Sequence, residues 1–295
     1  MSSIIQEGYI NINSVPIYYK KVGNGYNIIL TLHGGPGASH DYLLPLKKLA
    51  DYGYTLIFYD QCGCGRSGEM NDLAKCANLD YYVEEVEEVR KSLANSKKVI
   101  LLGHSWGGLL ALGYAIRYQK NLKGLIVSSG LSDVPLTVKE MRKLLDMLPK
   151  EIKEIIYDCE KNNDFSSEKC TNAVNEFYKR HLLRLEKYPQ EVIESLNYLS
   201  KRKIYSLMNG PTEFEINGTI RDINLTEQIK NIDVPTLIIV GEFDEVTPNV
   251  AKVINDNIRN SKMVIIPNSS HMNFYENPEY YFKVVLNFLN DIKNY

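Results

Sequence analysis

The sequence predicts an α/β fold: a mostly parallel sheet flanked by helices, with an all-helical block inserted into it. Three observations predict this. Apolar runs of strand length alternate with amphipathic stretches up to about Leu131. Several of those runs stop abruptly at glycine clusters, at Gly34–Gly37, Gly63–Gly68 and Gly103–Gly108. From Asp133 to Ser206 the chain is charged and poor in strand runs, and the alternation then returns. Strands alternating with helices make βαβ units and hence a parallel sheet.

The elements follow in order. Tyr9–Asn13 and Pro16–Lys21 read as an opening hairpin, and Asn27–Leu32 as a buried strand. Tyr42–Ala50 has helical spacing through Leu43, Leu46, Leu49 and Ala50. Tyr54–Tyr59 is the next strand, and Tyr81–Leu93 an amphipathic helix with Val83, Val86 and Val89 on one face. Lys97–Leu102 is a strand running into Gly103, Leu109–Tyr118 a helix, and Leu122–Ser128 a strand. The block that follows reads as helices over Val138–Leu148, Glu151–Glu160, Glu168–Leu185 and Gln190–Leu207, with Pro135, Pro149 and Pro189 near their starts. Strands return at Thr236–Val240 and Met263–Ile266, and Pro278–Ile292 is a last helix. The expected organisation is therefore a core of residues 1–131 and 226–295 interrupted by a helical block, 132–225.

Composition narrows the function. The 295 residues carry 34 Lys+Arg against 36 Asp+Glu, too even a balance for a nucleic-acid binder that lives on phosphate contacts. Apolar residues make up 44%, enough for a sizeable core. No apolar run reaches the roughly 18 residues of a membrane span, and the N-terminus lacks a basic segment followed by an apolar one. A cytoplasmic protein is expected. The five cysteines, an odd number without a secretion signal, are expected to be reduced thiols. Cys62 and Cys64 have no second Cys/His pair at zinc spacing, so neither metal nor cofactor is expected.

The chemistry centres on Gly103-His104-Ser105-Trp106-Gly107-Gly108, a G-x-S-x-G placed between a strand and a helix. That context defines a nucleophile elbow, in which a sharp turn presents the serine at a helix N-terminus. A serine needs a base, and the base an orienting acid. In elbow-bearing folds the chain order is Ser, Asp or Glu, then His. Only His181 and His271 lie downstream of Ser105; His181 sits within a charged helical stretch, whereas His271 follows the last strand and a turn. His271 is the expected base. Asp244, after the strand Thr236–Val240, is the expected acid, with Glu242 and Glu245 as local competitors. A tetrahedral intermediate also needs amide donors for its oxyanion. Trp106 should supply one and the loop His33-Gly34-Gly35-Pro36-Gly37 the other, from Gly35 or alternatively Gly37.

With these motifs the chain resembles the proline iminopeptidase family of serine peptidases in the α/β-hydrolase superfamily, on the side of its archaeal tricorn-interacting aminopeptidases. The resemblance is carried by HGGPG at His33–Gly37, DQCGCGRS at Asp60–Ser67, GHSWGG around Ser105, MNGPTEF at Met208–Phe214, GEFDEVTP at Gly241–Pro248 and SHM at Ser270–Met272. The chain departs from the family at Cys62, where members commonly have Arg, and at Ser270, where many have Gly. The resemblance implies an α/β-hydrolase fold in which the helical block Ser132–Leu225 caps the site. It implies that Glu213 and Glu245 hold the free α-amino group of a short peptide substrate, with Glu215 a competitor on the same segment. It also implies a tricorn-like protease as partner. Tyr205 and Phe243 are further candidates for lining the pocket. The expected activity is that of a serine aminopeptidase releasing N-terminal residues, proline among them. The same triad would serve a carboxylesterase or lactonase, and a fold reused only for binding would be expected to have lost a triad member.

Overall fold

A computed structural model of the protein describes residues 5–294. It opens with a hairpin of β1 (Ile5–Ile12) and β2 (Val15–Val22), in which Asn13 and Ser14 form the two-residue turn at φ 51° and 66°. Positive φ at both turn positions suits a tight hairpin, and Asn tolerates it well. Six strands follow: β3 (Asn27–Leu32), β4 (Tyr54–Tyr59), β5 (Val99–His104), β6 (Leu122–Ser128), β7 (Thr236–Gly241) and β8 (Ser261–Ile266). All eight join one sheet in the order β1-β2-β4-β3-β5-β6-β7-β8. The pairs β1–β2 and β2–β4 are antiparallel, and every pair from β4 to β8 is parallel. The expected α/β fold with a mostly parallel sheet is the observed one.

Successive residues of the inner strands serve opposite layers. In β3, Leu30 and Leu32 pack toward α1 (Leu79–Leu93) and α2 (Trp106–Tyr118), while Ile29 packs toward the other face. That second face is covered by a 3₁₀ helix over His40–Tyr52 and by the C-terminal helix. A helix expected over Tyr42–Ala50 is thus 3₁₀ in character. Pro45 lies inside it, and a missing N–H there favours the tighter turn.

The strand-poor block forms α3 (Val134–Asp146), α4 (Lys150–Lys161), α5 (Glu168–His181), α6 (Gln190–Lys201) and α7 (Lys203–Met208). Two expected helices are shorter here than their periodicity suggested. The one read over Gln190–Leu207 breaks at Arg202, which is extended (φ −99°, ψ 125°). Its guanidinium donates to the carbonyls of Gly65 and Ser67, at 2.5 and 3.0 Å, tying the block to the core. The one read over Glu168–Leu185 stops at His181, whose carbonyl accepts the amides of Glu245 and His271 instead of continuing the helix. The chain then forms α8 (Pro248–Asn257), α9 (Asn273–Glu276) and α10 (Pro278–Asp291). Neither α8 nor α9 was expected.

The expectation of five reduced cysteines is corrected. Cys159 on α4 and Cys170 on α5 form a disulfide, with Cα atoms 6.0 Å apart; Cys62, Cys64 and Cys76 are free and buried. Counting cysteines could not show that two helices of the block bring this pair together. Among the described residues no helix is long and apolar enough to cross a membrane.

Candidate active site

Ser105 stands between β5 and α2 at φ 58°, ψ −124°, a strained conformation for a non-glycine residue. The turn is possible because its neighbours lack side chains. A Cβ on Gly103 would lie 1.9 Å from the Gly107 carbonyl oxygen, and one on Gly107 would lie 2.2 Å from that of Leu32. Ser105 is partly exposed while the residues on either side of it are buried. The elbow expected from the motif is therefore present, one residue before a helix N-terminus.

His271 sits in the loop after β8, and Asp244 in the loop after β7. Their side chains meet: His271 Nδ1 donates to Asp244 Oδ1 at 2.7 Å. Asp244 is held in turn by the amides of Gly241 (3.2 Å) and Val246 (3.0 Å). Both residues are buried. Burial pulls the His271 pKa down, but the carboxylates of Asp244, Glu245 and Glu213 outweigh it and raise it to about 9. His271 and Ser105 line one cavity together with Gly35, Glu213 and Glu245.

The two expected oxyanion donors also face this region. Gly35 lies at φ 112°, and Trp106 is the first residue of α2. Among the described residues neither amide makes a hydrogen bond. The first amides of a helix have no partner within it. Gly37, the alternative, does not line the cavity; it packs against Ile204 and Tyr205 of α7.

Three positioning side chains escaped the sequence reading. Gln61 bridges the two segments expected to supply the oxyanion donors: its Nε2 donates to the His33 carbonyl (2.9 Å), and its Oε1 accepts Trp106 Nε1–H (2.8 Å). Tyr42 Oη accepts the Gly34 amide at 2.7 Å and donates to His104 Nδ1 at 2.9 Å. His104 Nε2–H then donates to the His271 carbonyl at 2.9 Å, beside Ser129 Oγ at 3.0 Å. This pattern assigns the tautomer of His104, and burial holds its pKa well below the usual histidine value. The only sequence signal for this network was the presence of Gln61 and His104 inside recognised motifs. Tyr42 carried none.

Glu245 is buried, with Oε1 3.7 Å from His271 Nε2 and Oε2 without a partner among the described residues. Burial raises its pKa well above the usual carboxylate value, and the charges of Glu213 and Asp244 add to this against that of His271. Glu213 lines the same cavity and accepts a hydrogen bond from Tyr205 Oη at 2.7 Å. Burial raises its pKa as well, against the Tyr205 hydrogen bond and the His271 charge. Tyr205 thus acts through Glu213. Phe243 is 38% exposed under the Arg184 guanidinium and lines no part of this cavity, which corrects the expectation for it. Glu242 and Glu215 are likewise outside it: Glu242 accepts the amide of Asn268, and Glu215 faces Asn217. His181 serves through its backbone, as described above.

The alpha/beta hydrolase fold family matches residues 27–278, and the elbow serine, the Asp–His pair and the sheet order make the chain a hydrolase of that class. Two curated relatives align almost end to end. The proline iminopeptidase of Saccharolobus solfataricus is 50% identical over 290 residues, covering 98% of this chain and 93% of that protein. That of Thermoplasma volcanium is 50% identical over 286 residues, covering 96% of each. The crystal structure of proline iminopeptidase from Mycobacterium smegmatis is similar at a TM-score of 0.91 and 28% identity, covering 97% of this chain and 98% of that one. The chain belongs to the proline iminopeptidase family.

Proposed function

We propose that the protein is a prolyl aminopeptidase that releases N-terminal residues, proline and others, from short peptides through an acyl-enzyme. The observation that carries this reading is the pair Glu213 and Glu245. Two carboxylates in one pocket beside Ser105, with no cationic partner except His271 among the described residues, are costly unless a cation joins them. The α-ammonium of a peptide is such a cation, and it lies close to the first scissile bond. An esterase for neutral substrates has no use for the pair.

In this reading Ser105 Oγ attacks the carbonyl carbon of the first residue, and His271 Nε2 takes its proton. Asp244 orients the imidazole and stabilises its charged form. The Gly35 and Trp106 amides hold the oxyanion. His271 then protonates the departing amine as the C–N bond breaks. Water, deprotonated by His271, attacks the ester and frees the N-terminal residue and Ser105. Ammonium binding also activates the base. It offsets the negative charges that raise the His271 pKa, so a larger fraction of the imidazole is neutral once substrate is bound.

The domain assignment follows. Residues 1–131 and 226–295 form the catalytic core, and residues 132–225 form a cap that supplies Glu213. A cytoplasmic location belongs to the same reading; activity in the cytosolic fraction of source cells tests it, and activity confined to the secreted fraction contradicts it. A panel of aminoacyl-arylamides tests the function itself. Proline arylamide should be turned over and a fluorophosphonate should label Ser105; a panel with no substrate would contradict the reading.

A further inference from the structure

Two cavities meet at Ser105, and the chemistry gives them different tasks. Gly35, Ser105, Glu213 and Glu245 line both. The first continues past His271 and Met272 beneath α6. The second runs past Trp106 toward Met141 and Ile220. Resting on the aminopeptidase reading, the division follows from proton transfer. The departing amine takes its proton from His271, so the peptide beyond the scissile bond lies on the His271 side. His271 lines the first cavity and not the second. The N-terminal side chain is left with the second.

We propose that the first cavity binds the side chain of the peptide's second residue and selects an apolar one. Its walls are Ala38, Leu182, Val192, Leu196, Leu199 and Met272. Val192, Leu196 and Leu199, with Ser195, recur at the spacing of one helical face, so α6 presents a continuous apolar strip to the cavity. Apart from Ser105, Glu213 and Glu245, the polar side chains of the cavity are already engaged. Ser195 Oγ donates to the Ser39 carbonyl (3.1 Å), accepts the Tyr42 amide (3.2 Å) and meets Ser39 Oγ (2.8 Å). Tyr42 Oη and both nitrogens of His104 are committed to the chain that ends on the His271 carbonyl. A charged second side chain would lose its water there, and the acids that line the cavity, Glu213 and Glu245, are taken by the α-ammonium. An acidic one would in addition face Glu213 and Glu245. A leucine or methionine would bury apolar surface at no such cost.

The test is a panel of amidated dipeptides, Pro-X-NH₂ with X as Leu, Ala, Lys or Glu, calibrated against prolinamide, which has no second side chain. The kcat/KM for X as Leu should exceed that for Lys or Glu by about tenfold or more, with Ala between. Leu196→Glu should shift the Leu-to-Lys ratio toward Lys by about tenfold. A flat profile in the wild-type enzyme with prolinamide still cleaved would overturn the pocket and leave the aminopeptidase reading standing. Absence of turnover for every amide, prolinamide included, would overturn that reading and the pocket with it. The wild-type panel decides the matter even if Leu196→Glu does not fold.

Discussion

The sheet and the helical block hold their functional groups in different ways. Ser105, Asp244 and His271 all follow parallel strands or the turns after them, and each is fixed by hydrogen bonds to the backbone. Ser105 N donates to Ser128, the Asp244 carboxylate accepts two amides, and the His271 carbonyl accepts two side chains. Glu213 comes from an irregular segment after α7, held by one tyrosine hydroxyl. The block that carries it meets the core through shared apolar packing and through polar links that include Arg202 to Gly65 and Ser67, Arg66 of the core to Glu194 of α6, Ser195 to Ser39, and the His181 carbonyl to the His271 loop. Bond-making geometry is placed on rigid strand ends, where small errors would cost most. In the proposed reading, recognition of the substrate is shared: Glu213 and the α6 wall come from the insertion, and Glu245 comes from the core loop that carries Asp244.

The comparison can be broken at its centre first. Ser105→Ala should lower kcat by about 10⁴-fold or more, measured on proline arylamide, with the fold intact by circular dichroism.

The charge pair comes next. Glu213→Gln or Glu245→Gln should lower kcat/KM on free-amine substrates by about 10²-fold or more, because a charge-assisted contact in a desolvated site is lost. Glu245→Gln should also move the pH profile. Glu245 helps raise the His271 pKa, and only neutral His271 can act as base, so removing that charge shifts the acid limb to lower pH. For the same reason the acid limb of kcat, which reports the substrate complex, should lie below that of kcat/KM in the unaltered enzyme. Coincident limbs would contradict the coupling.

Gln61→Leu probes the core side at one remove from the chemistry. It leaves the His33 carbonyl and the Trp106 indole N–H without their partner, and should lower kcat about tenfold with KM little changed.

The smallest effect is expected at the seam between the two regions. Arg202→Ala removes two hydrogen bonds from a side chain that is 25% exposed. It should cost about 1 kcal/mol and lower Tm by roughly 2–4 °C. A drop in kcat as large as that of Gln61→Leu would show that the seam does more than attach the cap.

The same division explains what could be read in advance. The inner strands were legible because a sheet covered on both faces writes them as continuous apolar runs, Ile28–Leu32 and Leu237–Val240 among them. Ser105, Asp244 and His271 were legible because an elbow has a local signature and imposes a chain order on its partners. The break at Arg202, the early end of α5 and the Cys159–Cys170 bridge were not, since each depends on a contact distant in sequence or on how two helices face one another. The links from Gln61 to Trp106 and from Tyr42 to His104 were hidden for the same reason. Glu213 stood out only through the resemblance of its motif; an isolated Glu in an irregular segment has no local mark of burial.

The central claim is that the acids around Ser105 read a free α-ammonium. Measuring kcat/KM for one dipeptide with its N-terminus free and again N-acetylated tests it most directly. A fall of about 10³-fold or more is expected on acetylation, since the charge-assisted contacts are lost and the buried Glu245 stays without its cation. Equal cleavage of both forms would contradict it and return the protein to the wider class of hydrolases that share the triad.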